Sequence, residues 1–223
     1  ENIPNMKIIP DANAIPNRIN FNLGVSPVLA DEHIGIFLQN CHSAFIKGDF
    51  NPAATLNIAN IKNNSIATGT ILFKGIDITT SRNCRINCNF IENLPLSMRF
   101  FDNCNGTILR QNNITEYDVA VQLDNAEIGT QRQVDTGNQD EPANNYWFDD
   151  SGSNRVSGAT TSGAAIQWFY DDVTNTGELI PVPADLNVVD PEPDSPPGSV
   201  DCDYISSRIG RDELFGRTVD DSL

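Results

Sequence analysis

Positive charge and histidine are scarce in this chain. Fourteen lysines and arginines and two histidines stand against 30 acids in 223 residues, for a formal net charge of −16. A field of that sign excludes holding nucleic acid or an anionic membrane by bulk electrostatics, because both need a positive surface. No run of eighteen apolar residues is present, so no helix is long and apolar enough to insert in a membrane. The opening stretch, ENIPNMKIIPDANAIPN, has neither the basic start nor the apolar core of a signal peptide, and reads as a mature or excised segment. Charge of either sign is thin between Phe37 and Leu123. What fills that span is asparagine, a turn residue disfavoured in strands and helices alike. The length suits one domain of ordinary size, or one domain and a tail.

The asparagines recur with a spacing. FFDNCNGTIL (residues 100–109) parallels FLQNCHSAFI (residues 37–46), each running apolar residues into Asn-Cys. From Asn40 the same place in the pattern is met at Asn60, Thr80, Asn103 and Asn125, at steps of 20 to 23 residues. An apolar-x-apolar triplet precedes each: Ile36-Phe37-Leu38, Leu56-Asn57-Ile58, Ile76-Asp77-Ile78, Met98-Arg99-Phe100 and Val121-Gln122-Leu123. Six residues after the first four anchors comes an aliphatic (Ile46, Ile66, Ile86, Leu109), and eleven after come Asn51, Ile71, Ile91 and Ile114. A period of about 20–23 residues marks a solenoid, and alternation at two residues marks strands. Leucine-rich repeats have a similar length but need leucine-rich positions that are missing here. The pattern therefore predicts an all-β fold, a right-handed parallel β-helix of 20–23-residue coils with caps at both ends and an extended tail. Stacked coils would place Asn40, Asn60, Thr80, Asn103 and Asn125 at one corner, about 4.8 Å apart, as a ladder of side-chain hydrogen bonds. An antiparallel sandwich, the competing arrangement, predicts no such column identity.

Columns of asparagine, short β-branched strands and phrases such as Asn112-Asn113-Ile114 and Asn63-Asn64-Ser65-Ile66 resemble the right-handed parallel β-helix repeat superfamily, whose members include pectate-lyase-like enzymes. The resemblance covers about residues 33–130. The stretch GNQDEPANNYWFDDSGSNRVSG further resembles segments that close such helices in secreted or cell-surface proteins of Bacteroidota exported by the type 9 route. What these resemblances imply is an extracellular setting, with polysaccharide or another surface protein as partner.

Four segments are expected. Residues 1–32, with Ile19, Phe21 and Leu23 alternating, form an N-terminal cap or degenerate coil, and 33–130 form the coils. Residues 131–180 form a long loop and a capping coil around Trp147, Phe148 and AAIQWFY. Residues 181–223, rich in proline and acid, form a linker and tail.

Chemistry has few carriers. Cys84 and Cys88 lie about 13 Å apart along a strand, beyond disulfide reach. Free structural thiols are the expectation, with a disulfide at Cys202 or a metal as the alternatives. The outward column of the triplet strands, Phe37, Asn57, Asp77, Arg99 and Gln122, is the candidate ligand face, read as a solvated strand surface. In pectate-lyase-like enzymes the resemblance implies acids binding calcium and a base acting on the sugar. Asp77 beside Arg99 imitates that, but a surface ion pair is the plainer reading. Glycoside hydrolysis needs two opposed carboxylates, and the columns supply none, so no catalytic residue is assigned. Calcium is the one cofactor suggested, at Asp149, Asp150, Ser151 and Ser153 in DDSGSN, which lacks the bidentate Glu of a calcium loop. A second outer face, Lys47, Ala67, Asn87 and Arg110 beside Phe45, Ser65, Arg85 and Ile108, is mildly basic and partly apolar, as suits contact with another domain, with a partner or N-terminal arm as the alternative cover. The expected function is a non-catalytic, secreted or cell-surface module, structural or adhesive, that binds glycan. A polysaccharide lyase or glycoside hydrolase is one alternative, and a secreted cargo whose tail docks on an outer-membrane carrier is another.

Overall fold

The structure, a computed structural model, describes residues 7–8, 18–21, 32–50, 59–63, 73–133, 141–148, 154–171, 181 and 188–194, and among these no residue is helical. The protein is all-β and its sheets are mostly parallel. Three stacks of strands make up the body. The first contains β1 (Lys7–Ile8), β4 (Phe45–Lys47), β7 (Arg85–Asn87) and β9 (Ile108–Arg110), in that order. The second begins with β3 (His33–Gln39) and β6 (Phe73–Thr79), the third with β2 (Ile19–Phe21) and β5 (Ile61–Asn63). Two long strands, β8 (Phe90–Asn103) and β10 (Asn113–Glu127), serve both. Their first halves extend the third stack and their second halves the second. Each bends at a residue of positive φ, Asn93 (60°) and Glu116 (52°). Finally β13 (Tyr146–Phe148) joins the third stack and β14 (Asn154–Ala159) the second. Along the sequence the strands visit the stacks in one recurring order: second, first, third, second.

Apolar residues line up across strands because parallel pairing without slippage keeps side chains on one face. Ile36, Ile76, Met98, Val121 and Val156 are successive register partners, as are Ile46, Ile86 and Leu109, and Ile61, Ile91, Ile114 and Trp147. All are buried. Burial of each large side chain contributes roughly 1.5–3 kcal/mol. Close stacking also dictates one glycine. At Gly158 (φ 110°) a Cβ would stand 1.9 Å from the Leu123 carbonyl oxygen, so no other residue fits.

The expected 20-residue first step is corrected. β3 pairs directly with β6, so Phe37 lies opposite Asp77, forty positions on, with no strand between them. Leu56-Asn57-Ile58, Ile66 and Ile71 lie outside the described residues. The corner after these strands is formed by Asn40, Thr80, Asp102 and Asn125, all at positive φ (55°, 48°, 62° and 53°). It contains Asp102 rather than Asn103, because Phe101 pairs in register with Thr79 and Asp124, which puts the next residue, Asp102, level with Thr80 and Asn125. This corner is a left-handed backbone position, which Asn and Asp tolerate best. Its side chains form no continuous ladder, only a Thr80 Oγ1 donation to Asp102 at 3.3 Å.

A ladder does exist, at another corner and from other residues. Asn60 donates through Nδ2 to Asn89 Oδ1 at 3.0 Å, Asn89 to Asn112 at 3.0 Å, and Asn112 to Asn145 at 2.9 Å. The side-chain oxygens of Asn60, Asn112 and Asn145 also accept backbone N–H groups, from Phe90, Asn89 and Asn112 respectively. Thus Asn60 is the one expected ladder residue that belongs to a ladder.

Tyr146–Phe148 and Asn154–Ala159 continue the stacks, and Trp147 packs against Trp168 with ring centroids 5.6 Å apart. The proline- and acid-rich stretch contains a strand, β16 (Val189–Asp194), parallel to β15 (Ile166–Asp171). Pro191 and Pro193 are two apart, so their missing N–H groups fall on one side, which suits an edge strand. The one antiparallel pair among the described residues is β11 (Arg132–Gln133) with β12 (Glu141–Pro142).

Candidate functional site

Four of the five candidate ligand residues are placed by register. Phe37, Asp77, Arg99 and Gln122 are successive partners on β3, β6, β8 and β10, and Ser157 on β14 extends the column. Asn57 lies outside the described residues. The column is not the open polar strip expected. Phe37 is 53% exposed, Gln122 and Arg99 are half-buried, and Asp77 is 1% exposed. Strand β6 is buried from Phe73 through Ile78 without alternation, so both of its faces are covered.

A chain of ion pairs crosses this face. Lys74 Nζ lies 2.9 Å from Glu32 and 3.2 Å from Asp77 Oδ2. Arg99 bridges the next two strands, with Nη1 at 3.2 Å from Asp77 and Nη2 at 2.7 Å from Asp124. The guanidinium also lies 5.1 Å from the centre of the Phe101 ring, within cation–π range. Burial tends to lower the pKa of Arg99, but its bonds to Asp124 and Asp77 outweigh this and hold it above the usual value. The chain opens to water at its far end, where Asp124 is half-buried and Phe101 exposed. Asp77 Oδ1 is buried without a hydrogen-bond partner.

Chemically this is a stitched surface. Both carboxylates beside Arg99 bind that one guanidinium, which is not the pair of opposed, independently acting acids that glycoside hydrolysis uses. Glu32, Lys74, Phe101 and Asp124 escaped the sequence reading. Lys74 and Asp77 are the only charges in the strand FKGIDIT, and three residues apart, which was the available signal.

The calcium candidates Asp149, Asp150, Ser151 and Ser153 lie outside the described residues. Among the described residues no three His, Cys, Asp or Glu side chains form a metal-binding group. Cys41, Cys84 and Cys104 are free and buried, with Cys84 Sγ donating to the Cys41 carbonyl at 3.4 Å. Burial raises the pKa of Cys84, and pushes Cys104 up to about 11. Cys88 is the exception to the expected free thiols: it is disulfide-bonded. No protein-family model, curated protein or solved structure matches the chain.

Proposed function

We propose that the chain is a right-handed parallel β-helix module that acts without catalysis, as a structural or adhesive element of a secreted or cell-surface protein, and that it holds glycan along the outer side of the second stack. The recurring order in which strands visit three parallel stacks supports the β-helix reading. Right-handedness follows from the strong preference of parallel crossovers. The observation that carries the non-catalytic reading is the ion-pair chain: Asp77 and Arg99 hold strands together, and Asp77 is closed to solvent.

What remains open for a ligand is the rim: Phe37, Phe101, Gln122, Asp124 and the outer edge of Arg99. Strands spaced about 4.8 Å apart match a sugar repeat of roughly 5 Å, with aromatic faces for stacking and polar groups for hydroxyls. The experiment is a panel of neutral and acidic polysaccharides immobilised and incubated with the intact chain. Retention is expected, without new reducing ends and without the absorbance of unsaturated uronic acid. Cleavage would establish the enzyme reading instead. Retention unchanged in a folded Phe37→Ala, Phe101→Ala, Gln122→Ala triple variant would remove this face.

A further inference from the structure

Charge is unevenly distributed over the second stack. Its strands and the residue before β3 carry six described acids (Glu32, Asp77, Asp102, Asp118, Asp124 and Glu127) against three bases, Lys74, Arg99 and Arg155. The bases are the charges withdrawn from water. The Lys74 side chain is 4% exposed between Glu32 and Asp77, and that of Arg99 is 22% exposed, with Nη1 on Asp77 and Nη2 on Asp124. Arg155 turns to the Trp147 carbonyl, which its Nη2 meets at 3.4 Å. The acids are the charges left at the surface. The Glu32 side chain is 54% exposed and that of Asp124 44%, and Asp102 and Asp118 are exposed as well. Asp77, in the middle of the face, keeps a buried Oδ1 with no donor. Its register partners are exposed Phe37 on one side and, on the other, Arg99 with the Phe101 ring against it.

We infer that the glycan this face takes carries free, protonated amino groups, as a polymer of 2-amino-2-deoxy sugars does, and is not a polyuronate; the inference rests on the glycan reading. An incoming carboxylate meets a guanidinium whose two Nη atoms already hold Asp77 and Asp124. It also meets the exposed acids, and like charges brought together at an interface cost several kcal/mol. An ammonium group meets the opposite conditions. Asp124 and Glu32 stand partly in water as acceptors for charge-assisted hydrogen bonds, and the faces of Phe37 and Phe101 attract cations. A basic peptide offers the same charge at a different spacing. Like-facing side chains of an extended peptide recur every two residues, about 6.8 Å, whereas a sugar repeat of roughly 5 Å follows the strand spacing of about 4.8 Å. The acids and rings that an ammonium would meet lie on successive strands, which favours the sugar.

The test titrates the full chain, by calorimetry, with β-1,4-linked oligosaccharides of equal length made of glucosamine, N-acetylglucosamine or glucuronic acid. The three differ chiefly in charge. The amino form is expected to bind at least about tenfold tighter than the uronate, with the acetylated form between them. Asp124→Asn should weaken the amino form roughly three- to fivefold and leave the acetylated form unchanged. Uronate binding as tight as that of the amino form overturns the inference and leaves the glycan reading standing. No binding of any of the three defeats the glycan reading, and this inference with it. A chain of net charge −16 also attracts polycations in bulk, so a folded Phe37→Ala, Phe101→Ala variant, which keeps every charge, is the control. It should lose most of the binding of the amino form. Undiminished binding there, or equally tight binding of a length-matched oligolysine, would show attraction without sugar recognition and overturn the proposal.

Discussion

Replacing Asn112 with alanine tests the observed ladder most directly. Its side chain is fully buried and makes four hydrogen bonds: Nδ2 donates to Ile86 O at 2.8 Å and to Asn145 Oδ1 at 2.9 Å, while Oδ1 accepts from the N–H and from the amide of Asn89, each at 3.0 Å. Alanine removes all four and leaves the Asn89 backbone N–H without that acceptor. Each lost bond is worth about 0.5–1.5 kcal/mol net, and a buried donor left open costs roughly 1–3 kcal/mol. The expected loss is about 3–5 kcal/mol, and a melting point lower by roughly 10 °C for a chain of this size. Asn103, whose Oδ1 accepts only a 3.4 Å contact from Asn105 N in an exposed turn, provides the contrast. Asn103→Ala should cost a few tenths of a kcal/mol, within the usual range of surface substitutions. Urea unfolding of the two variants beside the parent measures both. Costs within about 1 kcal/mol of each other would refute the ladder as the stabilising column.

The ion-pair chain makes a second ranking: Asp77→Ala, which leaves buried Lys74 with Glu32 alone and takes one of the two carboxylates from Arg99, should cost about 2–4 kcal/mol, and half-exposed Asp124→Ala less than about 1 kcal/mol. Equal melting shifts would show that burial does not decide. Cys104 contributes a pH dependence whose sign follows from its raised pKa: the folded thiol stays protonated up to about pH 11, while the unfolded one ionises near 8.5. Stability is therefore full below the unfolded value and falls as pH rises toward 11, by about 1.4 kcal/mol per unit for this group. Melting points at pH 8 and pH 10.5 for the parent and Cys104→Ala check it, the variant showing the smaller fall. Deleting Thr80–Phe101 removes one whole step and joins Thr79 to Asp102, its own continuation in register. That chain should still melt cooperatively, because stacked repeats contact only their neighbours. Deleting Thr80–Phe90 alone should not, and the same outcome for both would count against the β-helix.

The inward columns were legible because a two-residue alternation leaves little choice of face. Ile76 and Ile78, Met98 and Phe100, and Val121 and Leu123 were assigned inward and are buried. The corners were less legible. A left-handed turn and a ladder both favour asparagine, the first for its backbone tolerance and the second for its amide, so composition alone merges them. Position separates them: the ladder asparagines Asn89, Asn112 and Asn145 each stand two residues before a large inward side chain, Ile91, Ile114 and Trp147. The evenly spaced series from Asn40 instead mixed two corners, since Asn60 belongs to one and Thr80 to the other.

The outer face was the least legible part, and the reason is physical. Alternation reports which side of a strand is apolar, but not whether the polar side meets water. Asp77 and Asn87 both occupy outward positions, the first read from sequence as solvated and the second as part of a covered face, and both are buried. At Asp77 neighbouring charges compensate the burial, with Lys74 on its own strand and Arg99 on the next. At Asn87 no described partner does so, and the amide is left open in a place closed to solvent. Charge pairs can sustain a buried carboxylate within the stack, whereas the Asn87 amide is closed to solvent with no hydrogen bond to its side chain. That difference assigns the first face to stitching strands together.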